Sequence, residues 1–268
     1  MPNLKIIIAY DGTNFCGWQV QNCLSPACPA GRPACPAGRH IAYRGSEKPS
    51  IQETVEKALR IIARKKIRVI CSGRTDAGVH AKGQVANFML NLKIPLAGLK
   101  TALNSLLPDE ITVLKISKVN DDFHSRFSAK SKVYRYAILN SCQRDSFSKN
   151  FVYFCDYPLD LALMRKEAKA LLGRHDFSGF CASAGKKKNP LKNIKRINVE
   201  KQGDRIYIDI EADGFLYNMV RNIVGTLIEI GRGKFPKGSI KKILASRDRR
   251  LAGPTAPASG LCLMKVKY

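Results

Sequence analysis

The sequence predicts an α+β fold of two similar halves, each in β-α-β-β-α-β order. Three observations lead there. Apolar residues switch between a period of two and a helical period in that order along the first half, and the second half nearly repeats it. A chain of 268 residues, 45% of them apolar, is long enough to bury a core in each half and too apolar to stay disordered. No apolar run approaches the roughly 18 residues that a membrane span requires, so the elements must pack on one another. The order is the ferredoxin-like one, and it predicts antiparallel sheets with a cleft between the halves.

In the first half, residues 5–10 read as a buried strand. Ser50-Ile51-Gln52-Glu53 is a capping box, in which the Ser side chain takes an orphan amide and the Glu reaches back. The helix that follows carries Ile51, Val55, Ala58, Leu59 and Ile62 on one face. Residues 68–72 and 84–90 are expected strands, 96–107 a helix, and 111–118 an alternating strand. In the second half, strands are expected at 132–140 and 151–154, and a helix at 160–172 stopped by Gly173. A hairpin turns at Gly203-Asp204 between strands 194–202 and 205–212. A helix over 215–230 points Phe215, Met219, Ile223, Leu227 and Ile230 inward. A short helix at 239–245 and a strand at 261–268 follow. The division falls into subdomains 1–120 and 121–268.

The net charge is +25, from 46 basic and 21 acidic residues. Such a chain favours a polyanionic partner, with nucleic acid first and an anionic membrane surface second. The basic residues are clustered. Lys186, Lys187, Lys188, Lys192, Lys195 and Arg196 lie in a stretch without an acid, and eight basic residues between Arg232 and Arg250 face only Asp248. The nine cysteines form no C-x-x-C pair and there are four histidines, so zinc has weak support. With no secretory signal, the thiols read as reduced and the location as cytoplasmic. Residues 27–39, ACPAGRPACPAGR, contain CPAGR twice and read as a solvated loop. Less expected roles there are phosphate contacts by Arg32, Arg39 and Arg44, or metal ligation by Cys23, Cys28 and Cys35.

The candidate chemistry centres on CSGRTDAGVH, residues 71–80. It follows a strand, and Gly73 and Gly78 imply a sharp turn. Asp76 is either a turn-forming carboxylate or a nucleophile kept ionised by a nearby guanidinium. Tyr134 and Tyr136 share one face of their strand, and Tyr134 could stack a base or move a proton. Phe123, His124 and Arg126 lie just before that strand, where they could meet RNA. Arg221, among apolar neighbours on its helix, should either reach outward or pair with a carboxylate such as Asp76.

These segments together resemble the tRNA pseudouridine synthase I family, also called TruA, over essentially the whole chain. The resemblance rests on YDGTNFCGWQ at 10–19, GRTDAGVH at 73–80 with GQV at 83–85, and DDFHSRFS at 121–128. It continues in KVYRY at 132–136, LLG at 171–173 with DF at 176–177, FLYNMVRNIVG at 215–225 and TAPASGL at 255–261. It implies the pseudouridine synthase fold, with the two ferredoxin- or RRM-like halves flanking a basic active-site cleft. The implied activity is isomerisation of uridine to pseudouridine at positions 38, 39 and 40 of the tRNA anticodon arm, by a homodimer with no metal or organic cofactor. By matching positions it implies Asp76 as nucleophile with Arg74 beside it. Tyr134 then stacks on the target base, Arg221 pairs with the carboxylate, and Leu261 packs near the flipped base. Arg126 and residues 184–188, with Lys186, Lys187 and Lys188, match tRNA-contacting positions. An insertion at about 23–48 is not typical of the family. Two other readings are a non-catalytic RNA-binding protein with two RRM-like halves and an RNA nuclease using His80 and His124. The segment VANFML at 85–90 lacks the paired aromatics with which RRM strands stack bases.

Overall fold

A computed structural model describes residues 1–19, 48–91, 93–182 and 189–268. The CPAGR repeat, with Cys23, Cys28, Cys35, Arg32, Arg39 and Arg44, lies outside the described residues, as do Lys186, Lys187 and Lys188.

Strand β1 (Asn3–Tyr10) turns Leu4, Ile6, Ile8 and Tyr10 into the core, as its alternation requires. Helix α1 (Ile51–Ala63) begins at Ser50, whose side chain accepts from Glu53 N at 3.1 Å. The second arm of the expected capping box is replaced, because the Glu53 carboxylate turns to Lys57 Nζ at 2.7 Å. The half is completed by β2 (Ile70–Cys71), β3 (His80–Met89), α2 (Leu96–Leu106) and β4 (Ile111–Val119). The second half runs β5 (Ser131–Asn140), β6 (Tyr153–Cys155), α3 (Leu161–Ala168), β7 (Gly173–Asp176), β8 (Leu191–Gln202) and β9 (Arg205–Ala212). It ends with α4 (Met219–Gly231), α5 (Ser239–Ser246) and β10 (Leu261–Lys267).

The α+β class and the repeated order are as expected, and the strand pairing adds what sequence did not contain. The two halves share one sheet, ordered β4-β1-β3-β10-β5-β9-β8-β7, with β2 beside β3 and β6 beside β5. Each half keeps the same internal order: β4-β1-β3-β2 in the first and β10-β5-β9-β8 in the second. They join where β10 runs parallel to β3, at Cys262↔His80 and Leu263↔Ala81. Farther along the same edge of β3, β2 pairs at Ile70↔Asn87 and Cys71↔Ala86. Between these contacts the sheet forks, and residues 72–79 form the loop that leaves β2 and enters β3 at the fork.

Several boundaries moved: β3 begins at His80 rather than 84 and β8 at Leu191 rather than 194, and three further elements changed for physical reasons. The strand expected at 68–72 is only Ile70–Cys71: Val69 N and O turn to the Glu56 and Gln52 side chains, and past the last strand bond, Ser72 N to Val85 O at 2.8 Å, the Ser72 and Gly73 carbonyls turn to Lys132 and Gln84. The helix expected at 160–172 ends at Ala168 and tightens into a 3₁₀ turn. Gly173, at φ 93°, then starts a short strand instead of only ending the helix. The helix expected at 215–230 begins at Met219, because Asn218 sits at φ 57°, off the helical path. Helix α4 packs so tightly that a Cβ on Gly225 would lie 1.8 Å from Pro254 O. Gly225→Ala should therefore lower Tm by about 5 °C or more in a thermal melt, as overpacking against fixed backbone costs about 1–3 kcal/mol or more.

Candidate active site

The 72–79 loop is held from several sides before its own side chains are considered. Gln84 Nε2 donates to Gly73 O at 2.7 Å, and Lys132 Nζ donates to Ser72 O at 2.6 Å. Tyr10 Oη and Thr75 Oγ1 are 2.7 Å apart, and Trp18 N donates to Thr75 O at 3.0 Å. Val79 N closes the turn on Asp76 O at 3.1 Å, with Gly78 at φ 76° supplying the left-handed residue. Fixed in this way, Asp76 presents its carboxylate at the fork of the sheet.

Arg221, in the first turn of α4, meets it there. Its Nη1 lies 3.6 Å from Asp76 Oδ2, with the carboxylate side chain 27% exposed and the guanidinium 18% exposed. Burial pushes the Asp76 carboxyl above its ordinary value, and the Arg221 charge opposes that rise. The expected guanidinium beside Asp76 is thus that of Arg221, across the cleft. Arg74 is exposed and makes no ion pair with Asp76 among the described residues.

Tyr134 completes the group. It is buried, its ring meets Phe215 edge-on at 5.1 Å, and the nearby Asp76 charge helps to hold its phenol protonated, behind the larger effect of burial. Its hydroxyl bonds no other group among the described residues. Leu261 is buried on the neighbouring strand, opposite Tyr136 in the β10–β5 ladder, where Leu263 is the residue opposite Tyr134. A carboxylate, an arginine and a protonated tyrosine at one apolar-floored fork can attack or polarise an electrophilic carbon and move a proton. Among the described residues, no cluster of three or more His, Cys, Asp and Glu suited to a metal is found.

A family model described as tRNA pseudouridine synthase matches residues 38–128 and 168–268. The chain belongs to the tRNA pseudouridine synthase family. It is 42% identical over 268 residues to tRNA pseudouridine synthase A of Thermoanaerobacter sp. (strain X514), covering 100% of both chains. It has the same identity and coverage with the protein of that name from Moorella thermoacetica. With that from Halalkalibacterium halodurans it is 42% identical, over 97% of this chain and 90% of the other. The family's chemistry, uridine isomerisation in tRNA, suits a fork that holds a carboxylate and an aromatic ring together.

As a tRNA pseudouridine synthase the chain needs surfaces beyond the fork, and the 121–128 loop is one of the expected ones. Ser125 anchors it: its Oγ donates to Ile70 O at 2.6 Å, and its N donates to Asn87 Oδ1 at 2.9 Å. Phe123 is half-buried against Tyr268 at 5.0 Å, so its ring is occupied by the protein itself. His124 Nδ1 accepts from Arg126 N at 3.1 Å and its ring lies 4.4 Å from that of Phe127. The Arg126 guanidinium sits 5.4 Å from the same Phe127 ring, which is 74% exposed. Phe127 is thus an open aromatic platform beside the Arg126 guanidinium that sequence reasoning passed over. Its exposure had no signal, since a strand-flanking Phe reads as core.

The His80 side chain lies away from the fork, with its Nδ1 3.1 Å from Asp11 Oδ1. It is buried, its Nδ1 accepts from Gly12 N at 3.1 Å, and its Nε2 lies 2.9 Å from Asn150 O. It lines a cavity of about 460 Å³ with Arg135, Tyr207 and Cys262, which contains none of Asp76, Tyr134 or Arg221. No helix among the described residues is long and apolar enough to cross a membrane.

Proposed function

We propose that the chain isomerises uridine to pseudouridine at positions 38, 39 and 40 of the tRNA anticodon stem-loop, with Asp76 as the reacting carboxylate. The observation that carries this is the Asp76–Arg221 pair, 3.6 Å apart and partly buried at the fork of the sheet. In the net reaction the N1–C1′ bond of uridine breaks and a C5–C1′ bond forms. C5 gives up a proton and N1 gains one, so no oxidant and no energy source is consumed. A stacked uridine cannot reach the fork, so the target nucleotide is flipped out, and stacking on Tyr134 offsets part of the unstacking cost. Leu261 supplies apolar contact to the base. Arg74, Arg126, His124 and Lys186 to Lys188 engage the RNA backbone, as the charge of +25 favours. The enzyme acts in the cytoplasm as a homodimer.

The test is incubation with an unmodified tRNA transcript, followed by carbodiimide labelling and primer extension. Stops at 38 to 40 are expected. Salt-sensitive tRNA binding with no stops anywhere would replace this reading with a non-catalytic RNA-binding one. Tyr134→Phe should retain most activity if stacking dominates. Tyr134→Leu should lose about 10–100-fold in kcat/KM on the same transcript, the value of one base–aromatic stack.

A further inference from the structure

Arg221 does not hold its own position. Its Nε donates to Ala256 O at 2.7 Å, and Ala256 N donates back to Arg221 O at 3.1 Å. Its Nη1, the atom nearest Asp76, also donates to Asn218 Oδ1 at 3.2 Å. A guanidinium is a flat fork, so fixing Nε largely fixes the direction of Nη1. The Ala256 carbonyl is therefore the reference point for the ion pair.

Residues 252–257, which carry that carbonyl, form no helix or strand. A polar cluster one residue along α4 from Arg221 holds them. Asn222 is fully buried, and its Oδ1 accepts from Thr255 Oγ1 at 2.7 Å and from Arg249 Nη2 at 3.0 Å. Its Nδ2 donates to Phe180 O at 2.8 Å. Arg249 also donates to Thr255 Oγ1 and to Ala252 O, each at 3.2 Å. Gly253 N donates to Thr226 Oγ1 at 2.9 Å. At the other end, Pro257 O accepts from Tyr136 Oη at 2.8 Å, two residues along β5 from Tyr134. The segment is thus a strap between α4 and β5, the elements that bring Arg221 and Tyr134 to Asp76.

Arg249 marks the strap as more than packing. Among the described residues its guanidinium bonds only neutral oxygens, and partial burial without a carboxylate is an unfavourable place for that charge. We propose that Thr255, Asn222 and Arg249 are positioning residues, which lock the strap so that the Ala256 carbonyl aims Arg221 at Asp76. This rests on the reading of Asp76 as the reacting carboxylate.

The groups that face Asp76 are Arg221 from α4 and Tyr134 from β5, while Arg74 on its own loop is exposed. Tyr134 stays neutral, so the Arg221 distance is the variable one. Slackening the strap lets Arg221 recede and the Asp76 carboxyl hold its proton to higher pH. Thr255→Val keeps the shape and removes the hydroxyl; Thr255→Ser restores it; Arg249→Met breaks the same cluster from its other side. Single-turnover pseudouridine formation is measured from pH 5 to 9, beside tRNA affinity and thermal melting. Thr255→Val and Arg249→Met should shift the acid limb up by about one pH unit, with tRNA affinity within about twofold. Thr255→Ser should keep the wild-type limb. An unmoved limb in whichever of the two disrupting variants folds overturns the proposal, even where the rate falls evenly at every pH. A ¹³C NMR titration of the Asp76 carboxyl reads the same shift without turnover. An inactive wild type would therefore sink the reading of Asp76 and still leave the strap to be judged on the titration.

Discussion

Asp76→Asn should abolish pseudouridine formation, by at least about 10³-fold in single-turnover rate, while tRNA affinity stays within about threefold. The substitution keeps the shape of the side chain and removes its charge, and with it the carboxylate at the fork that Arg221 approaches. The loop would keep its form, because its fixed points are backbone and neighbouring groups: Gly73 O, Ser72 O, Thr75 and Asp76 O. Binding should survive because the phosphate contacts lie on other residues. Stability supplies an independent check with a definite sign. The folded protein binds the Asp76 proton more tightly than the unfolded chain, because burial raises the carboxyl. Wild-type stability therefore falls as pH rises from the ordinary aspartate value to the raised one. In Asp76→Asn that dependence should vanish, and at neutral pH the variant should melt no lower than wild type. Turnover above a hundredth of wild type would remove Asp76 from the mechanism.

Arg221→Lys is expected to lose about 10²-fold, although it keeps the positive charge. An ammonium has no second nitrogen with which to bond Ala256 O while reaching Asp76, so the point charge lands elsewhere. Arg221→Gln should lose more, and the pH profile should separate the two. Arg221 is what opposes the burial-driven rise of the Asp76 carboxyl. Without it the carboxyl stays protonated to higher pH, so the acid limb moves up and the deficit shrinks toward alkaline pH. A rate deficit of equal size from pH 5 to 9 in Arg221→Gln would mean that Arg221 acts on something other than Asp76.

Much of this was legible in the residues, for reasons that can be named. The alternation in β4 and the inward stripe of α1 follow from burial on one face, which leaves a period in the sequence. The pairing of Arg221 with Asp76 was legible because a charge among Met219, Val220, Ile223 and Val224 needs a partner. What was hidden depends on backbone. β7 reads Gly-Arg-His-Asp, which has no strand pattern, and it exists because β8 offers an edge. The Ala256 and Pro257 carbonyls are acceptors that any residue type would supply, so their roles leave no mark in composition. The joining of two halves into one sheet was equally silent, since β10 and β3 touch through two residue pairs.

The place of β10 in that sheet has a consequence for how the molecule is made. It follows every other strand in the chain, yet it lies between β3 and β5 at the middle of the sheet. During synthesis the earlier strands leave the ribosome first. Until β10 arrives, the inner edges of β3 and β5 expose unpaired N–H and C=O groups. Pairings across so great a sequence separation are slow to form. The fork that holds Asp76 is therefore the last part of the sheet to close, and a nascent chain has no finished cleft with which to engage RNA.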